Sequence, residues 1–198
     1  MNTTERKKAI LEAAFALIAD QGIQELTIKN LAKAVGVSEP ALYRHFDSKA
    51  SILSAIADEI ISIRDKAWQT TLLEARSAPE CLESFFLRQA RSFESLHSLV
   101  IILYPDMLFK QDPDLLGRIR FMIEETKNHI IALLDQGIAE GVFRNDLDTS
   151  AVSSMLIGGF RVLVSEWRMN RGNKSFSLVQ NTRKYMNSVF LLISTAQG

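Results

Sequence analysis

Apolar residues recur three and four positions apart along most of the chain, the spacing that lays one face of a helix against a core. Ile10, Ala14, Leu17 and Ile18 mark such a face on a helix from about Thr4 to Gln21, stopped by Gly22. A second helix begins around Leu26-Thr27-Ile28, with Thr27 as its N-cap, and ends at Gly36. Ser38 caps a third, and Pro40 falls in its first turn, where a missing N–H costs little. Ser48 caps a fourth, whose apolar positions Ile52, Leu53, Ile56, Ile60, Ile63 and Trp68 carry it to about Glu74. After the break at Ser77-Ala78-Pro79 a fifth runs to about His97. Tyr104-Pro105 and Asp112-Pro113 interrupt the next stretch. Asp112 as N-cap and Pro113 at the first helical position then start a long helix that stops at Gly141. Asp148 caps another, ending at Gly172, and Ser175 or Ser177 opens the last. Only Ser98 to Tyr104 is ambiguous between helix and strand, so the expected fold class is all-α.

The segment Thr27 to Phe46 carries the most information. It reads as two short helices joined at Gly36, where a tight turn needs a positive φ that only glycine adopts cheaply. Ala32 is small enough for a close helix crossing. Leu31, Val35, Val37, Leu42 and Phe46 fall inward, which leaves Ser38, Glu39, Ala41, Arg44 and His45 mostly outward. This is the pattern of a helix-turn-helix, whose second helix lies in the DNA major groove. A plain helical hairpin in a bundle is the alternative. Lys49 at the start of the following helix favours DNA, as do the helix N-termini at Thr27 and Ser48, whose backbone N–H groups suit phosphate oxygens.

Composition narrows the field. The chain has 198 residues, 47% of them apolar, with 23 basic and 23 acidic side chains. That excludes a disordered protein and a polyanion-coating one. The single cysteine, Cys81, builds neither an internal disulfide nor a Cys-rich zinc site. The polar N-terminus has no signal-peptide pattern, and Asp148 and Arg161 break the most apolar stretch, Leu147 to Val164. A soluble, cytoplasmic, nucleoid-associated protein with no membrane partner is expected. His45, His97 and His129 are scattered, and no nucleophile elbow, phosphate loop or dinucleotide fingerprint occurs, so neither enzyme activity, a metal nor a cofactor is expected.

Residues 5–60 resemble the DNA-binding domain of TetR-type transcriptional regulators. The matching residues are Thr27, Leu31-Ala32, Gly36-Val37-Ser38, the run Ala41 to Phe46, and Lys49 with Leu53. The resemblance implies a helix-turn-helix domain over 1–47 and a helical dimerisation and regulatory domain over 48–198, with helix 48–74 connecting the two. It also implies a homodimer on a palindromic operator in double-stranded DNA, usually repressing transcription. By resemblance Tyr43, His45 and Lys49 contact phosphates, with Thr27 beside them. Ser38, Glu39, Ala41 and Arg44 face bases or the groove wall, and Lys29 and Pro40 complete the set. Residues 1–50 carry seven basic and six acidic side chains, an unusually even balance for a DNA reader. Glu39 repels phosphate unless it accepts a hydrogen bond from a cytosine amino group.

The C-terminal part is expected to dimerise and to sense a ligand. Val152, Leu156, Phe160, Leu163 and Trp167 form a bulky stripe, with Ser154, Gly158, Val162, Ser165 and Met169 nearly opposite. The bulky face suits the chain's own core and the small face a partner helix. The last helix adds a stripe through Leu178, Thr182, Tyr185, Val189 and Ile193, so the expected dimer interface is Ser154, Gly158, Val162, Ser165, Tyr185 and Val189. Phe86, Phe93, Tyr104, Met107, Met122 and Glu125 are the candidates for a pocket taking a small apolar or aromatic ligand, with Arg88, Arg91 or Glu125 as polar anchor. A second reading makes the chain a DNA-binding factor of the nucleoid-occlusion type, acting through a protein partner. Such factors share a similar Val37 to Lys49 segment, and Met107 to Asp112 with Gly117-Arg118-Ile119 also resembles theirs.

Overall fold

The computed structural model describes residues 3–75, 77–95, 109, 112–170 and 176–195. His97, Tyr104, Met107 and the ambiguous run 98–104 lie outside the described residues. Eight α-helices occur among them: α1 Thr3–Gln21, α2 Ile28–Val35, α3 Glu39–Tyr43, α4 Lys49–Glu74, α5 Ala78–Ser95, α6 Pro113–Ala139, α7 Thr149–Met169 and α8 Leu178–Ile193. A short 3₁₀ turn, Ile23–Glu25, links α1 to α2. The all-α class holds, with α7 ending at Met169, three residues before the expected Gly172. Asn170 ends it by returning both its backbone N–H (3.0 Å) and its side-chain amide (2.8 Å) to the Glu166 carbonyl.

The chain folds as two compact units, Met1–Ser62 with Leu96–Arg120, and Ile63–Ser95 with Phe121–Gly198. In the first, Ile10, Ala14, Phe15 and Ile18 of α1, Leu31 of α2, Leu42 of α3, Phe46 and Ile52 and Ile56 of α4 are all buried. Side chains fix the turns between them. Thr27 Oγ1 accepts from the Asn30 backbone N–H at 3.1 Å, and Ser38 Oγ from that of Ala41 at 3.3 Å. Gly36 adopts φ 72°, ψ 38°, so that its N–H and that of Val37 both return to the Ala32 carbonyl. Ser48 caps α4 reciprocally: its Oγ accepts from Ser51 N–H at 3.1 Å, and its own N–H reaches Ser51 Oγ at 3.2 Å. Arg118 of α6 pairs with Asp58 of α4 in the same unit.

In the second unit an aromatic chain runs through the core. Trp68 meets Phe85 edge-on at 4.7 Å, Phe85 meets Phe86 at 5.5 Å, and Phe86 meets Phe160 at 5.3 Å. Offset and edge-to-face aromatic pairs of this kind add to plain area burial. Ser177 is the cap that opens α8: its Oγ accepts from Gln180 N–H at 3.3 Å. Glu94 near the end of α5 receives the Ser177 hydroxyl at 3.0 Å and the Val179 N–H at 3.2 Å, pinning the start of α8 to α5.

The α7–α8 contact is set by Gly159 and Tyr185. A Cβ at Gly159 would lie 2.5 Å from the Tyr185 hydroxyl, so the phenol crosses α7 where a side chain is missing. Its O–H donates to the Met155 and Leu156 carbonyls at 3.1 and 3.2 Å. Burial pushes the phenol from 10.0 up to about 12. Between these values the unfolded chain gives up the proton while the folded chain keeps it. The stabilisation is therefore complete below pH 10 and is lost as pH rises towards 12. Urea unfolding on either side of pH 10.0 should show the alkaline loss, and Tyr185→Phe should flatten it. An unchanged slope in the variant would place the alkaline sensitivity elsewhere.

Candidate nucleic-acid interface

A five-residue helix has too few internal hydrogen bonds to stand alone, so α3 is held by what it packs on. Leu42 is fully buried and Phe46 nearly so, which fixes the inner side of α3. Thr27, Lys29, Ser38, Glu39, Pro40, Tyr43, Arg44 and Lys49 are all exposed, and Ala41 and His45 are half-buried. Tyr43 leaves 49% of its surface open on the outer side of α3. Exposed positions 39, 43 and 40, 44 stand four apart, so they form two adjacent rows on the outer side of α3.

Several of these groups also work inside the fold. Lys49 Nζ donates to the Ile23 carbonyl at 3.5 Å, tying the start of α4 to the 3₁₀ turn. His45 turns its Nδ1 inward, where it is buried without a partner. The Thr27 and Ser38 hydroxyls accept the cap hydrogen bonds already described. Asn30 does not stand out in the sequence pattern, yet its amide donates to both the backbone carbonyl (3.0 Å) and the carboxylate (2.9 Å) of Glu25. It thereby sets the entry angle of α2. The polar residue one turn after the Thr27 cap is the available signal. Among the described residues, neither Glu39 nor Arg44 has an ion pair or a side-chain hydrogen bond.

The other candidate residues divide differently. Phe86 and Phe93 are buried and both face Phe160, at 5.3 and 6.1 Å. Met122 is buried on α6. Glu125 accepts from Arg64 at 3.0 Å, and Arg88 pairs with Glu74 and reaches Ser84 Oγ at 3.3 Å, so both anchors already have partners. Arg88 and Arg91 line an open cleft of about 340 Å³ at the surface. Polar groups without partners sit elsewhere. Trp68 Nε1, Thr71 Oγ1 and His129 Nδ1 are buried and unpartnered, and the Trp68 and His129 rings stack at 4.8 Å. His129 follows Glu125 by one helical turn, and Trp68 follows Arg64 by the same interval. On the small face of α7, Ser154, Gly158, Val162 and Met169 are exposed and Ser165 is half-buried. Val189 is half-buried on α8, while Tyr185 lies between two helices of its own chain.

A capped two-helix unit with one side of its second helix in a core and the other open has the geometry of a helix-turn-helix. Residues 10–56 match the family model described as bacterial regulatory proteins, tetR family, and residues 65–194 match that of the YsiA-like protein, C-terminal region. The second match alone exceeds half the chain, and the chain belongs to the TetR family of bacterial transcriptional regulators. It is similar to the HTH-type transcriptional repressor KstR2 of Mycolicibacterium smegmatis, with 26% identity across 74% of this chain and 72% of the relative. Its fold is that of ketosteroid transcriptional regulator KstR2 of Mycobacterium tuberculosis, with a TM-score of 0.83 at 24% identity over 96% and 95% of the two chains. It is also that of the transcriptional regulator FadR from Bacillus subtilis in complex with stearoyl-CoA, with a TM-score of 0.75 at 22% identity over 92% and 97%. Similarity to the nucleoid occlusion factor SlmA of Haemophilus ducreyi is higher, 47%, but spans only 57 residues and 28% of each chain. The suggested kinship of the C-terminal part with those factors is thereby corrected: the C-terminal match is to the YsiA-like region. Among the described residues no cluster of three metal-ligating side chains occurs, and no helix is long and apolar enough to cross a membrane.

Proposed function

We propose that this regulator is a homodimeric repressor that grips a palindromic operator through α2 and α3 and lets go when an apolar ligand enters its C-terminal part. The observation that carries the reading is the open outer side of α3 over a fully packed inner side. Tyr43, His45 and Lys49 would hold phosphates with Thr27 and Lys29. Ser38, Glu39, Pro40, Ala41 and Arg44 would meet the groove. Replacing Tyr43 and Lys49 together by alanine should weaken specific and non-specific DNA alike, because phosphate contacts carry no sequence information. The slope of log K against log salt should fall by about one, for the single lost cation. An unchanged affinity and slope in a filter-binding titration would remove these residues from the interface.

The dimer reading rests on exposed apolar surface. Val162 leaves 56% of its surface open, Met169 77% and Leu191 85%, more than isolated surface residues account for on two neighbouring helices. With Ser154, Gly158, Ser165 and Val189 these form a face suited to a second copy, two helices from each. Two copies would set recognition helices about 34–36 Å apart on adjacent major grooves. A Cβ added at Gly158 would meet nothing within 4 Å, so leucine there leaves the subunit's own packing intact. Gly158→Leu should force paired helices apart at a typical overpacking cost of about 1–3 kcal/mol. Sedimentation should then show monomer at micromolar concentration, and a variant that stays dimeric would move the interface elsewhere.

The ligand would lie against the aromatic chain around Phe86, Phe93 and Phe160, with its one polar group at Trp68 Nε1, Thr71 and His129. Trp68 Nε1 is a donor only, so the partner it lacks is an acceptor such as a carbonyl oxygen. The relatives named for ketosteroid and stearoyl-CoA, and the fatty acid metabolism regulator protein of Bacillus subtilis, point to the same chemistry: a large apolar body carrying a carbonyl. Such a protein acts by binding, without an enzymatic step, at the nucleoid in the cytoplasm.

A further inference from the structure

We propose that Glu39 reads sequence: it selects cytosine at one position of each operator half-site. The inference rests on the DNA-binding reading above and deepens it. Glu39 is the first residue of α3, and the N-terminal residues of a recognition helix are those that reach base edges. Its side chain is exposed on the outer side of α3, beside Pro40 and one turn before Tyr43. No cation among the described residues pairs with it, so the carboxylate arrives at the groove with its acceptor capacity free.

An ionised carboxylate only accepts hydrogen bonds. Phosphate oxygens repel it. In the major groove guanine offers acceptors at O6 and N7, and thymine an acceptor at O4 beside its methyl group, so both are repelled too. Two bases offer a donor: cytosine at N4 and adenine at N6. Adenine sets its N7 acceptor next to that donor, where it faces the second carboxylate oxygen. Cytosine N4 has one acceptor neighbour, O6 of the paired guanine, and a C–H at C5 on its other side, whereas adenine N6 is flanked by N7 and by thymine O4. The resulting order is cytosine first, adenine second, guanine and thymine last. The same charge makes Glu39 unfavourable on any DNA that lacks the donor, so it lowers non-specific affinity while it supports the cognate site. Seven basic against six acidic residues in positions 1–50 give the reader little charge to spare, which sharpens that contrast.

The test is selection from a randomised duplex library with the full chain and two surface variants, Glu39→Gln and Glu39→Ala. The parent should select one cytosine column per half-site. Glutamine pairs with adenine N6 and N7 at once, so Glu39→Gln should convert that column to adenine and leave the others alone. Glu39→Ala should erase the preference there. Both variants should bind the parent's selected duplex about tenfold more weakly and bind random duplex more tightly. The same cytosine column in all three proteins, or none in the parent, overturns the assignment while leaving the DNA-binding reading intact. If none of the three enriches any duplex, the DNA-binding reading fails, and the assignment with it.

Discussion

The DNA-reading surface depends on two buried side chains. Helix α3 has five residues, too few to persist in water, and it is anchored by Leu42 and by Phe46 just beyond its end. It packs on α2, and α2 packs on α1, so the reader is a chain of dependencies that ends in the α1 residues Ile10, Ala14 and Ile18. The capping hydroxyls of Thr27 and Ser38 and the left-handed Gly36 decide where each short helix starts and stops. With that inner side fixed, the outer residues are presented in a set geometry before DNA arrives, which limits the ordering cost of binding.

Much of this was legible in the sequence because short-range chemistry governs it. The Thr27 and Ser38 caps, the glycine at 36 and the alternation of Leu31, Leu42 and Phe46 with polar neighbours are local signals, and the structure realises each. The Asp148 cap and the buried stripe of α7 through Leu156, Phe160 and Trp167 were legible for the same reason. The misses involve partners far apart in sequence. Glu125 is one of three candidate anchors in the sequence, and its pairing with Arg64, 61 residues away, leaves no trace in periodicity. Tyr185 reads as a surface-stripe residue until Gly159 opens a place for its ring. Trp68 and His129 carry no linear signal either: one lies in an apolar stripe, the other among charged residues, and only the fold stacks them.

The stacked pair matters because buried polar groups are nearly always satisfied. Trp68 Nε1, Thr71 Oγ1 and His129 Nδ1 are buried without partners, and the Trp68 ring packs on Phe85 and His129. A structural core gains nothing from them, and each unmet hydrogen bond costs about 1–3 kcal/mol. A ligand acceptor would offset that cost and so convert local instability into binding affinity. Two of the three groups stand on α4, a single helix of 26 residues, about 40 Å long at ~1.5 Å per residue. Its first residues belong to the unit that holds α3 and its last to the unit that holds the rings. Under the proposed function, a ligand that favoured one setting of α4 would bias the reader, and could do so only through different affinity for the two settings.

That coupling is the centre of the account, and linkage makes it measurable from either side. The direct measurement is titration calorimetry of stearoyl-CoA into the protein, alone and saturated with its selected operator duplex, paired with titration of the duplex into protein with and without stearoyl-CoA. The account predicts that each binding partner weakens the other by the same factor, and that Trp68→Phe reduces the ligand's affinity without changing that of the duplex. Tight, simultaneous binding of both with neither affinity altered would contradict it.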